Sequence, residues 1–146
     1  APYIKNYQVV VIRAADADKY TSTESLAGAN LDAEAGSAGE AELTALGYTV
    51  TPVKAQSDAL MEVAAGTSDA AVIDSLMAAA MVGEGTGYAS LTYTCGLNSE
   101  EYGVGFRKGS DLAQKLNEFF QSSYADGSMM QIAETYGVQA AIIEQK

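Results

Sequence analysis

Residues 29–46 read ANLDAEAGSAGEAELTAL. From Ala29 to Glu34 small apolar side chains alternate with polar ones, as along a strand, until Gly36-Ser37-Ala38-Gly39 breaks the pattern. From Glu40 the apolar positions Ala41, Leu43 and Leu46 recur at helical spacing, and Gly47 suits the left-handed residue that closes a helix. The stretch is thus a strand, a glycine turn and a helix.

The same alternation continues on both sides. Upstream, Gln8 to Arg13 (QVVVIR) is a β-branched run that predicts a strand buried on both faces, and Ser22 to Leu26 predicts a short capped turn before Gly28. Downstream, Tyr48 to Val53 alternates again as a strand. Ser57 or Asp58 is placed to cap a helix with Leu60, Met61, Val63 and Ala64 on its apolar face, closed by Gly66. Ala70 to Ile73 then predicts a short buried strand ending at Asp74, followed by an Ala- and Met-rich helix over Ser75 to Val82. Glycines 83, 85 and 87 mark a loop before two expected strands, Tyr88 to Cys95 and Tyr102 to Arg107. From Ser110 the pattern is helical, with Leu112, Leu116, Phe119, Phe120 and Tyr124 on one face. After Asp126-Gly127 a second helix carries Ile132, Ala133 and Tyr136, with Ser128 as its expected cap. Strands alternating with helices predict an α/β fold: a central, mostly parallel sheet flanked by helices, plus two C-terminal helices.

Composition narrows the function. The 146 residues, 48% hydrophobic, suffice for the core of one ordinary domain. Nineteen acidic against eight basic residues give a formal charge of −11, which would repel a phosphate backbone, so no nucleic-acid partner is expected. With one cysteine, Cys95, and no histidine, internal disulfides, Cys/His zinc sites and His-based catalysis are excluded. No catalytic residue, metal site or cofactor is expected. Cys95, beside Leu91 and Tyr93, reads as a small buried side chain. The start at Ala1-Pro2-Tyr3 shows no basic segment followed by an apolar run, so a secretory signal is expected to be absent or already removed.

In open α/β sheets ligands gather beyond the carboxyl ends of the strands. Two places qualify here. The turn Gly36-Ser37-Ala38-Gly39 opens a helix whose first N–H groups suit a carboxylate, though any tight βα connection needs glycine and a Ser cap. Asp74 ends a strand and could meet an ammonium group, or could simply cap the following helix. A zwitterion would use both. Neither a Gly-Lys-Ser/Thr phosphate loop nor a dinucleotide fingerprint is present.

These segments resemble the amino-acid-binding family of type II periplasmic solute-binding proteins, the substrate-binding components of ABC transporters. Pro2-Tyr3 with Gln8-Val9-Val10-Val11 is similar to the family's entry into lobe two, and Ser25-Leu26-Ala27-Gly28 to its Leu-x-Gly turn. Glu34-Ala35-Gly36-Ser37-Ala38-Gly39-Glu40 resembles Gln-x-Gly-Thr-Thr-Gly-Glu. Gly66-Thr67-Ser68-Asp69-Ala70 leading to Asp74 resembles the Gly-x-x-Asp-Ala strand that ends in aspartate. Tyr102-Gly103-Val104-Gly105-Phe106-Arg107-Lys108-Gly109 resembles Tyr-Gly-Ile-Ala-x-x-Lys-Gly.

The resemblance implies a free amino acid as ligand, its carboxylate on Gly36, Ser37, Ala38 and Gly39, its ammonium on Asp74 and its side chain facing Glu34. Ala38 stands where a hydroxyl residue is frequent, which leaves only a backbone N–H there. Glu34 replaces a frequent Gln and favours a polar or cationic side chain. Residues 1–7 would be the inter-lobe connection, 8–101 the second lobe, and 102–146 a returning strand and helices that normally complete the first lobe. Most of that first lobe, with its own half of the ligand contacts, is expected to be missing. The implied partner is an ABC permease, through an intact extracytoplasmic parent, and the orphaned C-terminal helices suggest a homodimer. A receptor's ligand-sensing domain and a dehydratase-like enzyme of the same fold are the rival readings.

Overall fold

A computed structural model describes residues 1–146. The chain divides into two compact units, one formed by Tyr7–Ser99 and the other by Ala1–Asn6 with Glu100–Lys146.

The larger unit holds a five-stranded sheet. Its strands are β2 (Gln8–Arg13), β3 (Leu31–Glu34), β4 (Val50–Val53), β5 (Ala70–Asp74) and β6 (Leu91–Gly96), and its helices are α1 (Ala38–Ala45), α2 (Gln56–Ala65) and α3 (Ser75–Met81). The strand order is β4-β3-β5-β2-β6. β3 runs parallel to β4 and β5, whereas β2 is antiparallel to both β5 and β6. Four strands therefore point one way and β2 alone is reversed, which makes the sheet mixed and mostly parallel.

The apolar run in β2 is buried on both faces. Val9 and Val11 join Leu60, Val63, Ala71, Ile73 and Ala78 in the layer under α2 and α3. Val10 and Ile12 join Leu26, Leu31, Leu43, Ala70 and Val72 in the layer under α1. Each Val, Leu or Ile among them that is removed from water stabilises the unit by about 1.5–3 kcal/mol before entropy is counted. Cys95 is half-buried against the second layer.

α1 approaches the sheet closely at Gly39. A Cβ there would lie 2.8 Å from Val72 Cγ1 and 3.0 Å from the Val72 carbonyl oxygen, so only glycine lets the first turn settle on β5. α2 starts at Gln56, with Ala55 in the cap position and no side-chain cap, rather than behind Ser57 or Asp58. The expected strand from Tyr88 begins only at Leu91. Tyr88 instead folds back, donating its N–H to the Met81 carbonyl and accepting from the Gly83 N–H, which closes the glycine loop.

In the smaller unit β1 (Ile4–Asn6) pairs antiparallel with β7 (Glu100–Tyr102). The strand expected over Tyr102 to Arg107 is thus confined to 100–102, because β1 supplies only three residues to pair with. α4 (Leu112–Ala125) and α5 (Ser128–Thr135) pack together, and Tyr3 stacks on Phe120 with centroids 5.1 Å apart. Ser128 does not cap α5; its N–H donates to the Asp126 carboxylate, and Gly127 is the cap residue. Phe119, Ile132 and Tyr136 are 60%, 61% and 77% exposed. With Tyr3, Ile4 and Met129 they line an open groove of about 470 Å³. No helix is long and apolar enough to cross a membrane.

Candidate functional site

The carboxyl ends of β3 and β5 bring the turn before α1 and Asp74 to the same edge of the larger unit, because the two strands are parallel neighbours. After β3 the chain turns at Gly36, whose φ of 76° is one that a side chain would strain. The Ser37 N–H donates to the Glu34 carbonyl at 3.0 Å, and Ser37 becomes the N-cap of α1. Its Oγ accepts from the Glu40 N–H at 3.2 Å, while the Glu40 carboxylate reaches back to accept from the Gly36 N–H at 2.6 Å. This reciprocal capping follows from the Ser-x-x-Glu spacing. The turn and its caps together consume the N–H groups of Gly36, Ser37 and Glu40, and that of Ala41 bonds the Ser37 carbonyl. The N–H groups of Ala38 and Gly39 have no partner within the chain. They lie at the positive end of the helix, where an anion is favoured by about 0.3–1 kcal/mol at an exposed site.

Asp74 sits in the N-cap position of α3, yet its side chain makes no capping bond. Its Oδ1 accepts from Gln8 Nε2 at 2.7 Å and its Oδ2 from Gln56 Nε2 at 2.6 Å. The Asp74 N–H in turn donates to Gln56 Oε1 at 3.1 Å. The capping role open to Asp74 from sequence is therefore not the one its carboxylate takes.

Gln8 and Gln56 join the candidate site through these bonds to Asp74, and nothing in the sequence singles them out. Gln8 looks like the polar start of an apolar strand, and only the antiparallel register sets it opposite Asp74. Gln56 opens α2, where nothing in the local pattern distinguishes it from a surface residue. Gln8 is 2% exposed, with its N–H on Asn98 Oδ1 at 2.9 Å and its carbonyl accepting from Leu97 N. Glu34, half-buried at the end of β3, has no hydrogen bond or ion pair on its carboxylate. The edge thus presents two N–H groups and the Ser37 hydroxyl beside the carboxylates of Asp74 and Glu34. That set can hold a small molecule carrying both an anionic and a cationic group.

A depression in this unit, of about 350 Å³ and away from that edge, is lined by Asn30, Asp32, Thr51, Glu62, Thr67 and Ser68. Asp32 is 1% exposed. Ser68 Oγ donates to its Oδ2 at 2.5 Å, while its Oδ1 has no partner. Burial pushes the Asp32 carboxyl above its usual range; the Ser68 bond opposes this and the Glu62 charge adds to it. No group of three or more acidic or cysteine side chains is arranged to hold a metal ion.

No family model matches the chain, and no curated protein matches it either. Solved structures do. A variant of ArgBP from T. maritima is 28% identical with a TM-score of 0.80, over 93% of this chain and 59% of that one. An ancestral arginine-binding protein bound to arginine is 28% identical with a TM-score of 0.77, over 92% of this chain and 62% of that one. An ancestral amino acid-binding protein, a precursor of cyclohexadienyl dehydratase, is 24% identical with a TM-score of 0.79, over 92% and 59%. The chain spans about three fifths of the length of these structures.

Proposed function

Because this chain has the type II periplasmic amino-acid-binding fold, we propose that it is the second lobe and C-terminal part of an amino-acid-binding protein, taking hold of a free amino acid at the edge just described. The ligand carboxylate sits on the N–H groups of Ala38 and Gly39 and the Ser37 hydroxyl, with Gly36 shaping the turn. The ammonium group pairs with Asp74, and the ligand side chain faces Glu34. One observation carries this reading: the Asp74 carboxylate makes no capping bond to α3 and is held instead by Gln8 and Gln56, at the end of the strand neighbouring β3, which leads into an α1 N-terminus with two unpartnered N–H groups.

The uncompensated carboxylate of Glu34 favours a cationic or polar side chain. The names of the similar structures, which include arginine-binding proteins, agree with that preference. In a longer parent a first lobe would close over the ligand, and the closed form would deliver it to an ABC permease outside the cytoplasm. Alone, this chain supplies half the contacts and binds weakly, because an amino acid left with unpaired charges forfeits about 2–5 kcal/mol. Exposed Phe119 and Ile132 favour pairing of two copies through α4 and α5.

Calorimetric titration with L-arginine tests the reading. The expected dissociation constant is on the order of 1 mM or weaker, and the heat disappears in Asp74→Ala. Submicromolar binding, or binding indifferent to Asp74, would overturn it. Recovery of chemically altered ligand from the same titration would favour the rival, enzymatic reading.

A further inference from the structure

We propose that Gln8 and Gln56 are the positioning residues of the ammonium site, an inference that rests on assigning Asp74 to that site. An Asp that ends a strand and begins a helix ordinarily folds its carboxylate onto the helix's first N–H groups. Here the two glutamine amides outcompete that arrangement, one on each carboxylate oxygen, at 2.7 and 2.6 Å. Gln56 also accepts the Asp74 N–H, so it grips backbone and side chain together and fixes the carboxylate's direction relative to β5.

Gln8 adds a link between the two half-sites. Its Oε1 lies 3.1 Å from the position a Cβ on Gly39 would occupy, while its Nε2 bonds Asp74. One buried amide therefore packs against the first turn of α1 and orients the carboxylate. The amide cannot flip without turning its oxygen on Asp74. Chemistry explains the choice of residue. A Lys or Arg in either place would neutralise the charge that an ammonium group needs, whereas an amide orients a carboxylate and leaves its charge intact.

The test uses the ¹⁵N-labelled 146-residue chain with L-arginine and with the analogue that lacks the α-amino group. Gln56→Leu is expected to weaken L-arginine by about tenfold while leaving the analogue's affinity unchanged; equal loss for both ligands would overturn the proposal. A ligand-free measurement separates this from the functional reading. With both glutamines replaced by Leu, Asp74 should fall back onto α3, shifting the Leu76 and Met77 amide protons downfield, and adding Asp74→Ala should reverse the shift. Unchanged Leu76 and Met77 resonances overturn the proposal. If the shift occurs but the wild-type chain does not respond to L-arginine, the positioning stands and the amino-acid assignment falls. Gln56→Leu alone, at a half-buried position, carries the amide test should the substitution at buried Gln8 prevent folding.

Discussion

Gly39→Ala is the substitution whose cost can be worked most directly from the coordinates. In a helix interior the change ordinarily stabilises, by roughly 0.5–1 kcal/mol, because alanine gives the unfolded chain less freedom to lose. At this position the new methyl meets Val72 Cγ1 at 2.8 Å, the Val72 carbonyl oxygen at 3.0 Å and Gln8 Oε1 at 3.1 Å. Carbon atoms in good contact sit about 3.5–4.0 Å apart, so α1 must lift or β5 must shift by most of an ångström. Overpacking of that kind costs about 1–3 kcal/mol and outweighs the propensity gain. The expected result is a net loss of about 1–2 kcal/mol in urea-induced unfolding of the larger unit. Val72→Ala in the same chain removes the nearest clashing atom and should recover about 1 kcal/mol as coupling in a double-mutant cycle. A Gly39→Ala chain that gains stability, or a cycle with no coupling, would refute the close approach that sets α1 against β5.

Three further outcomes follow from other parts of the chain. Ser37→Ala removes the cap of α1 and should cost about 0.5–2 kcal/mol in the same unfolding assay, with weaker L-arginine binding as well; unchanged stability would deny the capping geometry. The Asp32 carboxyl is raised from its ordinary 3.8 mainly by burial, so the stability tied to its neutral form is complete below about pH 3.8 and is lost as pH rises through the higher folded value. Asp32→Asn should therefore be more stable than wild type at pH 7, with the advantage vanishing as unfolding is measured toward pH 3.8; a constant difference across that range would contradict it. Light scattering should show concentration-dependent dimers that Phe119→Ser with Ile132→Ser converts to monomers, and a wild-type chain that stays monomeric throughout would count against pairing through α4 and α5.

Much of the larger unit is legible in its sequence because local signals and tertiary demands agree there. The β-branched run Val9–Ile12, the turn at Gly36, the closing glycines 47 and 66, and the strand Ala70–Ile73 each specify the element that forms. Less legible are features fixed by partners distant in sequence. The reversal of β2 within an otherwise parallel sheet depends on which strands flank it, and no residue between Gln8 and Arg13 encodes direction. The residues 103–107 have strand-like composition, but β1 is too short to pair with them. The candidate site divides in the same way. Ser37 and Glu40 announce a capped turn through their spacing. Gln8 and Gln56 meet only at Asp74, across separations of 66 and 18 residues, and nothing local marks either one.

Amide chemical-shift mapping of the chain during titration with L-arginine bears most directly on the central claim. Perturbations are expected at Ala38 and Gly39 and around Asp74 and Gln56, all abolished by Asp74→Ala, with α4 and α5 unaffected. Perturbations confined to α4 and α5, or a response at Ala38 and Gly39 that persists without the Asp74 carboxylate, would contradict it.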